Sequence, residues 1–302
     1  MRIRRVLVGV AASVAVAATA AGVFAGVQSS AFDASLDKVY DVPNPSVGRS
    51  TDPAVIARGK HVVEAVAGCA TADCHGRDLG GGRTVDFGPL GRFTGPNISS
   101  GGLGAAYTDG ELARLIRHGI KRDGRSVRFM PVQDFRWLPD EDVAAVVSYL
   151  RSAPAVDREN GPIAFTTLAK VLDRRELVAI DVARRIDHGS YEAPPPPSPS
   201  AEYGRFLANA CTGCHGQHLS GGRMPGAPSS LPVPLDLTPH EDGLARWTFE
   251  DFDRALTLGV KPDGQKIDPF MPLDGFSKLD GTEKRALWEY LRSVPARPFG
   301  QR

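Results

Sequence analysis

Apolar positions follow three patterns along the chain. From Val6 to Val27 they run for 22 residues without a charge, rich in Ala and Val, directly behind Arg2, Arg4 and Arg5. Farther on they recur at helical spacing in four segments: Leu112, Leu115 and Ile116; Val143, Val146, Val147 and Leu150; Phe252, Ala255 and Leu256; Leu287, Tyr290 and Leu291. Between these lie unpatterned stretches rich in Gly and Pro. No segment alternates convincingly between apolar and polar, so the body is expected to be all-α with many loops.

The helical segments come in matched pairs, which points to a duplicated unit. Cys74-His75-Gly76, Leu79 and Gly81-Gly82 recur as Cys214-His215-Gly216, Leu219 and Gly221-Gly222, at a constant offset of 140 residues. At the same offset Thr108 and Glu111 match Thr248 and Asp251, and Gly119 matches Gly259. Each Thr-x-x-acid quartet reads as a capping box at a helix start, and each Gly as a left-handed stop at its end. The offset then becomes 141, because Met130-Pro131 answers to Met271-Pro272 and Tyr149 to Tyr290. One residue has been gained or lost in the loop before each Met.

These patterns divide the chain. Residues 1–31 read as a signal anchor or signal peptide, 32–50 as a spacer, 51–155 and 198–302 as the two repeated units, and 156–197 as a connector. The connector holds a short possible helix around Phe165 to Leu172, then four successive prolines from Pro194, which forbid helix and favour a stiff extended linker. As a helix the first apolar run would reach about 33 Å, enough to cross a bilayer core, and the arginines before it would stay inside. That length favours a retained anchor over cleavage after Ala31. Either outcome places the body outside the cytoplasm, on the periplasmic side of a bacterial inner membrane or free in the periplasm.

Charge excludes one class of function. Thirty-six basic against 35 acidic residues leave +1, without the basic surplus of a dedicated nucleic-acid binder. Four cysteines in 302 residues are too few for a disulfide scaffold, so their spacing carries the information.

Cys211-Thr-Gly-Cys214-His215 is a C-x-x-C-H sequence, the signature of c-type haem attachment. Each thiol can add to one haem vinyl group, and the adjacent imidazole can then bind the iron. A redox dithiol would call for a thioredoxin-like βαβ context, and a zinc site for further soft ligands. Cys69-Ala-Thr-Ala-Asp-Cys74-His75 is the same arrangement with four residues between the cysteines, and Thr71 stands where the first cysteine normally lies. Either Cys69 loops out and still forms a thioether, or the haem hangs from Cys74 alone; a decayed site with free thiols is the bland alternative. For the sixth ligand, Met130 and Met271 occupy equivalent places, each before a Pro, whereas Met224 has no counterpart and reads as packing. Thioethers are often mere core filler, but matched positions in two units favour ligation, and His/Met ligation raises the reduction potential. His61, His118, His188, His218 and His240 have no His partner under the offset and read as surface or packing residues. Trp247 and Tyr107 read as aromatics against the haem edge, and the Pro89 carbonyl as a partner for the His75 ring.

With these residues in place, both units resemble class I cytochrome c domains, and more narrowly the membrane-anchored multi-haem cytochrome c subunits of periplasmic dehydrogenases. The segments that carry the resemblance are Gly95 to Ser99, Tyr107 to Glu111, Met130-Pro131 and Leu138 to Ser152, with counterparts around Leu235, Trp247, Met271 and Trp288. The resemblance implies two covalent haem c groups and transfer of electrons between a dehydrogenase or quinol-oxidising complex and a terminal oxidase or other cytochrome. The alternative of a different class is a di-haem cytochrome c peroxidase, which would need an iron with an open sixth position.

Overall fold

A computed structural model describes residues 2–302 except 190, 191, 226, 228 and 230. The chain is mostly helical. Helix α1 (Arg2–Asp37) is the long apolar one, and it continues without a break through Ala31. Its Leu7–Asp37 span is long and apolar enough to cross a membrane, and its apolar stretch is uncovered by the rest of the chain.

The first unit contains α2 (Pro53–His61), the single turn α3 (Leu103–Ala106), α4 (Asp109–His118) and α5 (Asp140–Ser152). The connector contributes α6 (Thr167–Arg174). The second unit contains α7 (Ala201–Leu207), α8 (Asn209–His215), α9 (Phe249–Leu258), the single turn α10 (Leu273–Phe276) and α11 (Gly281–Ser293). Both capping boxes form: the Thr108 and Thr248 hydroxyls accept from the amides of Glu111 and Asp251, whose carboxylates accept in return. Gly119 and Gly259 close these helices at φ 64° and 67°, in the left-handed region where a side chain would be strained.

One crossing repeats in both units. Helix α2 packs on α5 and α7 on α11, each through a glycine with no room for a side chain. A Cβ on Gly59 would lie 1.9 Å from the Ala145 carbonyl oxygen, and one on Gly204 1.9 Å from that of Ala286. Between this glycine and the histidine-flanking cysteine the first unit has five residues more than the second, since Gly59 precedes Cys74 by 15 and Gly204 precedes Cys214 by 10. The surplus goes into a π-helical turn, Val62–Val66, and the wider loop that follows.

One expectation needs correction. The body is not free of strand: Val85–Asp86 (β1), Gly91–Phe93 (β2) and Ala164–Phe165 (β3) form a small antiparallel sheet that ties the connector to the first unit. Strands of two or three residues are too short to show an alternating pattern. Residues 32–50, read as a spacer, touch the rest of the chain at several points. Phe32 is 1% exposed against Ala169 and Ile180, Ser35 donates to Asp181 at 2.6 Å, and the Tyr40 amide donates to Gly124 at 2.9 Å. Burying that one phenyl ring favours the docked arrangement by about 2 kcal/mol.

A single apolar core joins the two units, running from Val62 and Val146 to Phe206 and Leu291. The contact has an approximate two-fold character. The turn after Met130, Val132–Asp134, packs on α8, while the turn after Met271, α10, packs on the 62–66 turn of the first unit. The fit at α10 is close: a Cβ on Gly275 would lie 3.2 Å from Thr71 and 3.4 Å from the Glu64 carbonyl oxygen. Each unit therefore covers the attachment segment of the other.

Candidate haem sites

Helix α8 carries Cys211, Cys214 and His215 at positions i, i+3 and i+4, which share a helix face. Together with Met271 they line a cavity of about 320 Å³, otherwise walled largely by apolar groups such as Leu237, Trp247 and Phe252. The His215 Nδ1 lies 2.6 Å from the Leu235 carbonyl oxygen. A carbonyl only accepts, so Nδ1 carries the hydrogen and Nε2 keeps its lone pair for a metal. Burial pushes the imidazole pKa down, which favours this neutral form.

The first unit repeats this framework around a different cysteine spacing. His75 Nδ1 lies 2.8 Å from the Pro96 carbonyl oxygen, and burial again pushes its pKa down. The amides of Gly81 and Gly221 donate to the carbonyls of His75 and His215, both at 2.9 Å. Leu79 and Leu219, at φ 63° and 61°, then receive the amides of Ile98 and Leu237 at 2.9 and 2.8 Å. The attachment loops themselves differ. Gly216 donates to Thr212 in ordinary α fashion, whereas Gly76 donates to Thr71 five residues back and His75 to Cys69 six back. Cys69 thereby joins the core rim that also includes Met130.

Both Met–Pro steps have the same backbone form. Pro131 (φ −80°, ψ 63°) and Pro272 (φ −76°, ψ 62°) are central residues of inverse γ-turns, closed by Val132 on Met130 at 2.8 Å and Leu273 on Met271 at 2.7 Å. The one-residue difference falls just before them. Val127 and Ile267 are equivalent, both donating at 2.7 Å to the glycine that ends the preceding helix, so two residues precede Met130 where three precede Met271. Phe129 absorbs the shortening at φ 65° and is wedged among Phe87, Phe93 and Phe165.

In the second unit the chemistry of the donor set fits haem c: two thiols, one imidazole nitrogen and one thioether sulfur around a largely apolar cavity. Burial pushes the thiols of Cys69 and Cys211 up to about 12 and those of Cys74 and Cys214 in the same direction, so all four are held neutral. That is the opposite of the electropositive setting of a redox dithiol. The Pro89 assignment is corrected: its carbonyl accepts from the Thr166 hydroxyl, and Pro96 serves His75. Trp247 lines the cavity, but Tyr107 sits half-buried on the surface beside Lys121 and Arg122. Most of the remaining histidines have other partners: His61 bonds Glu283, His118 bonds His188, and His240 lies 3.3 Å from Asp242.

The cytochrome c family matches residues 56–154. The first unit is a cytochrome c domain. Over 287 residues the chain is 28% identical to a nicotinate dehydrogenase subunit of Pseudomonas putida, a match that covers 86% of this chain but 23% of that protein. It is 33% identical over 101 residues to the fructose dehydrogenase cytochrome subunit of Gluconobacter japonicus, covering 31% of this chain and 21% of that one. A diheme cytochrome c-type protein of Cereibacter sphaeroides is 28% identical over 277 residues, 80% of this chain and 86% of its own. The chain thus spans less than a quarter of the length of the two dehydrogenase subunits. A cytochrome c domain implies covalent haem and electron transfer.

Proposed function

We propose that this protein is a di-haem c-type electron carrier built from two tandem cytochrome c domains, working outside the cytoplasm as the partner of a dehydrogenase or quinol-oxidising complex. The observation that carries the reading is the convergence of Cys211, Cys214, His215 and Met271 on one cavity, with the same histidine, leucine and Met–Pro backbone features recurring in the first domain. In the first domain Cys69 and Cys74 would hold the group, with His75 and Met130 as axial ligands. When bound, haem supplies a one-electron couple, and His/Met ligation sets it at a high potential.

The protein's own residues perform the supporting tasks. The Pro96 and Leu235 carbonyls fix each imidazole, the γ-turns fix each thioether, and the shared core holds the two domains together. Matched Met–Pro turns supply a sixth ligand at both sites, and nothing at either favours the peroxide-reducing alternative. The relatives that are dehydrogenase subunits favour a dehydrogenase as electron donor. Helix α1 supports attachment to the membrane.

The test is covalent haem per polypeptide, by pyridine haemochrome, on protein matured in a host with haem-attachment machinery. Two per chain is expected. One per chain would reduce the first domain to a docking module, and none would overturn the reading.

A further inference from the structure

We propose that Asp134 is a redox-linked proton site between the two haem positions, taking up a proton from solvent when an electron arrives at the adjoining iron and releasing it when the electron leaves. This rests on the di-haem reading above.

Asp134 ends the short turn that follows Met130-Pro131 and packs on α8 of the other domain. Its backbone is fixed: the amide donates to Pro131 at 2.9 Å, and the carbonyl accepts from the Trp137 indole at 2.7 Å. Its side chain is not satisfied in the same way, since Oδ1 is buried without a hydrogen-bond partner. The carboxylate acts electrostatically on Cys211 and Cys214 of the second domain and on Cys74 of the first. The turn that carries it follows Met130 of the first domain and packs on the attachment helix of the second.

Among the described residues, the nearby cations are engaged elsewhere. On α4, Arg114 donates to Val42 and Lys121, Arg117 to Arg136, Leu138 and Asp140, and His118 bonds His188. On the turn's own segment Arg136 donates to Asp187; on α8 His215 bonds Leu235; and Arg302, beside Cys214, donates to Gly222. Asp73 and Asp274, which also act on Cys74, add negative charge. Burial accordingly pushes the Asp134 carboxyl up to about 7, outweighing the hydrogen bond that the Gln133 side chain gives it.

A carboxylate with a buried, unpartnered oxygen is costly to keep ionised, and a positive iron centre offsets that cost only while it is oxidised. One-electron reduction converts ferric to ferrous iron, the electron coming from an external one-electron donor. With it Asp134 passes from –COO⁻ to –COOH, the proton coming from solvent, and no bond between heavy atoms forms or breaks. Reduction favours the protonated acid, so raising the pH opposes reduction and the midpoint potential falls. The limiting slope is a tenfold change in equilibrium per pH unit, about 59 mV for one electron.

The experiment is spectroelectrochemical titration of the holoprotein and Asp134→Asn between pH 5 and 9, with haem per chain measured on the same samples. Expected is a falling midpoint for at least one haem in the wild type, and in Asp134→Asn a flat profile at a potential above the wild-type value at pH 8. A flat wild-type profile, or a slope that survives in Asp134→Asn, overturns the proposal. Should that variant not fold, Asp134→Ser replaces it, and reduced-minus-oxidised infrared spectra of the wild type decide independently. A protonated-carboxyl band gained on reduction supports the site, and its absence overturns it. Two haems per chain without a pH slope would sink this inference alone, whereas missing haem would sink the carrier reading as well.

Discussion

The imidazole of His61, at the end of α2 in the first domain, reaches across to Glu283 in the first turn of α11, with Nε2 2.9 Å from both carboxylate oxygens. Glu283 is nearly sealed from solvent, caps its own helix through the Asp280 amide at 3.0 Å, and lies 3.7 Å from Arg58. Its hydrogen bond raises the His61 pKa above the ordinary value near 6.5. A raised folded-state pKa means that the stabilisation is complete below the unfolded value and is lost as pH rises through the folded one. His61→Ala is expected to cost about 2 kcal/mol at pH 5.5, with the gap from wild type narrowing toward pH 9. Denaturant unfolding of both proteins across that range checks it; a constant gap would deny the charged pair any role.

The glycine crossings make a second, purely steric expectation. Gly59→Ala and Gly204→Ala must each force a helix pair apart and should lower stability by about 2–3 kcal/mol. Gly281→Ala, where nothing lies within 4 Å, is the control and should be neutral or slightly stabilising. Equal melting temperatures for Gly204→Ala and the control would refute the crossing.

Replacing Met271 with Ala should lower the potential of one haem and open its iron to carbon monoxide, and Met130→Ala should do the same to the other. Optical titration of the ferrous variants reads both effects. An unchanged spectrum and potential would remove that Met from the ligand set.

Cys69 faces a similar test. Its place against the apolar core, half-buried like Cys74, Cys211 and Cys214, favours thioether formation despite the widened loop. Cys69→Ala should then keep two haems per chain while moving the haemochrome band of one toward longer wavelength. An unmoved band would mean that Cys74 alone holds the first group.

Much of this was legible in the residues because it is local. The capping boxes at Thr108 and Thr248 and the terminal glycines are decided within a few residues of chain, and each forms as expected. The partner of His75 was not legible in the same way. The loops returning to the two histidines differ by one residue, so the acceptors Pro96 and Leu235 are 139 apart rather than 140. A usable signal did exist: Asn97 and Asp236 each accept from the amide two residues on, at 3.0 and 2.7 Å, which marks the same turn in both loops. The docking of Phe32 and the burial of the Asp134 Oδ1 lay beyond local reading, since both arise from segments far apart in sequence.

The mutual covering of the attachment segments also imposes an order on how the protein is made. Once the turn after Met130 lies on α8 and α10 lies on the 62–66 turn, Cys69 and Cys211 are half-buried and burial holds both thiols neutral. On the di-haem reading, porphyrin and the machinery that attaches it would reach each peptide more readily while the halves are still apart. Closure would then follow attachment, and a chain that closed early would be a well-packed but colourless product.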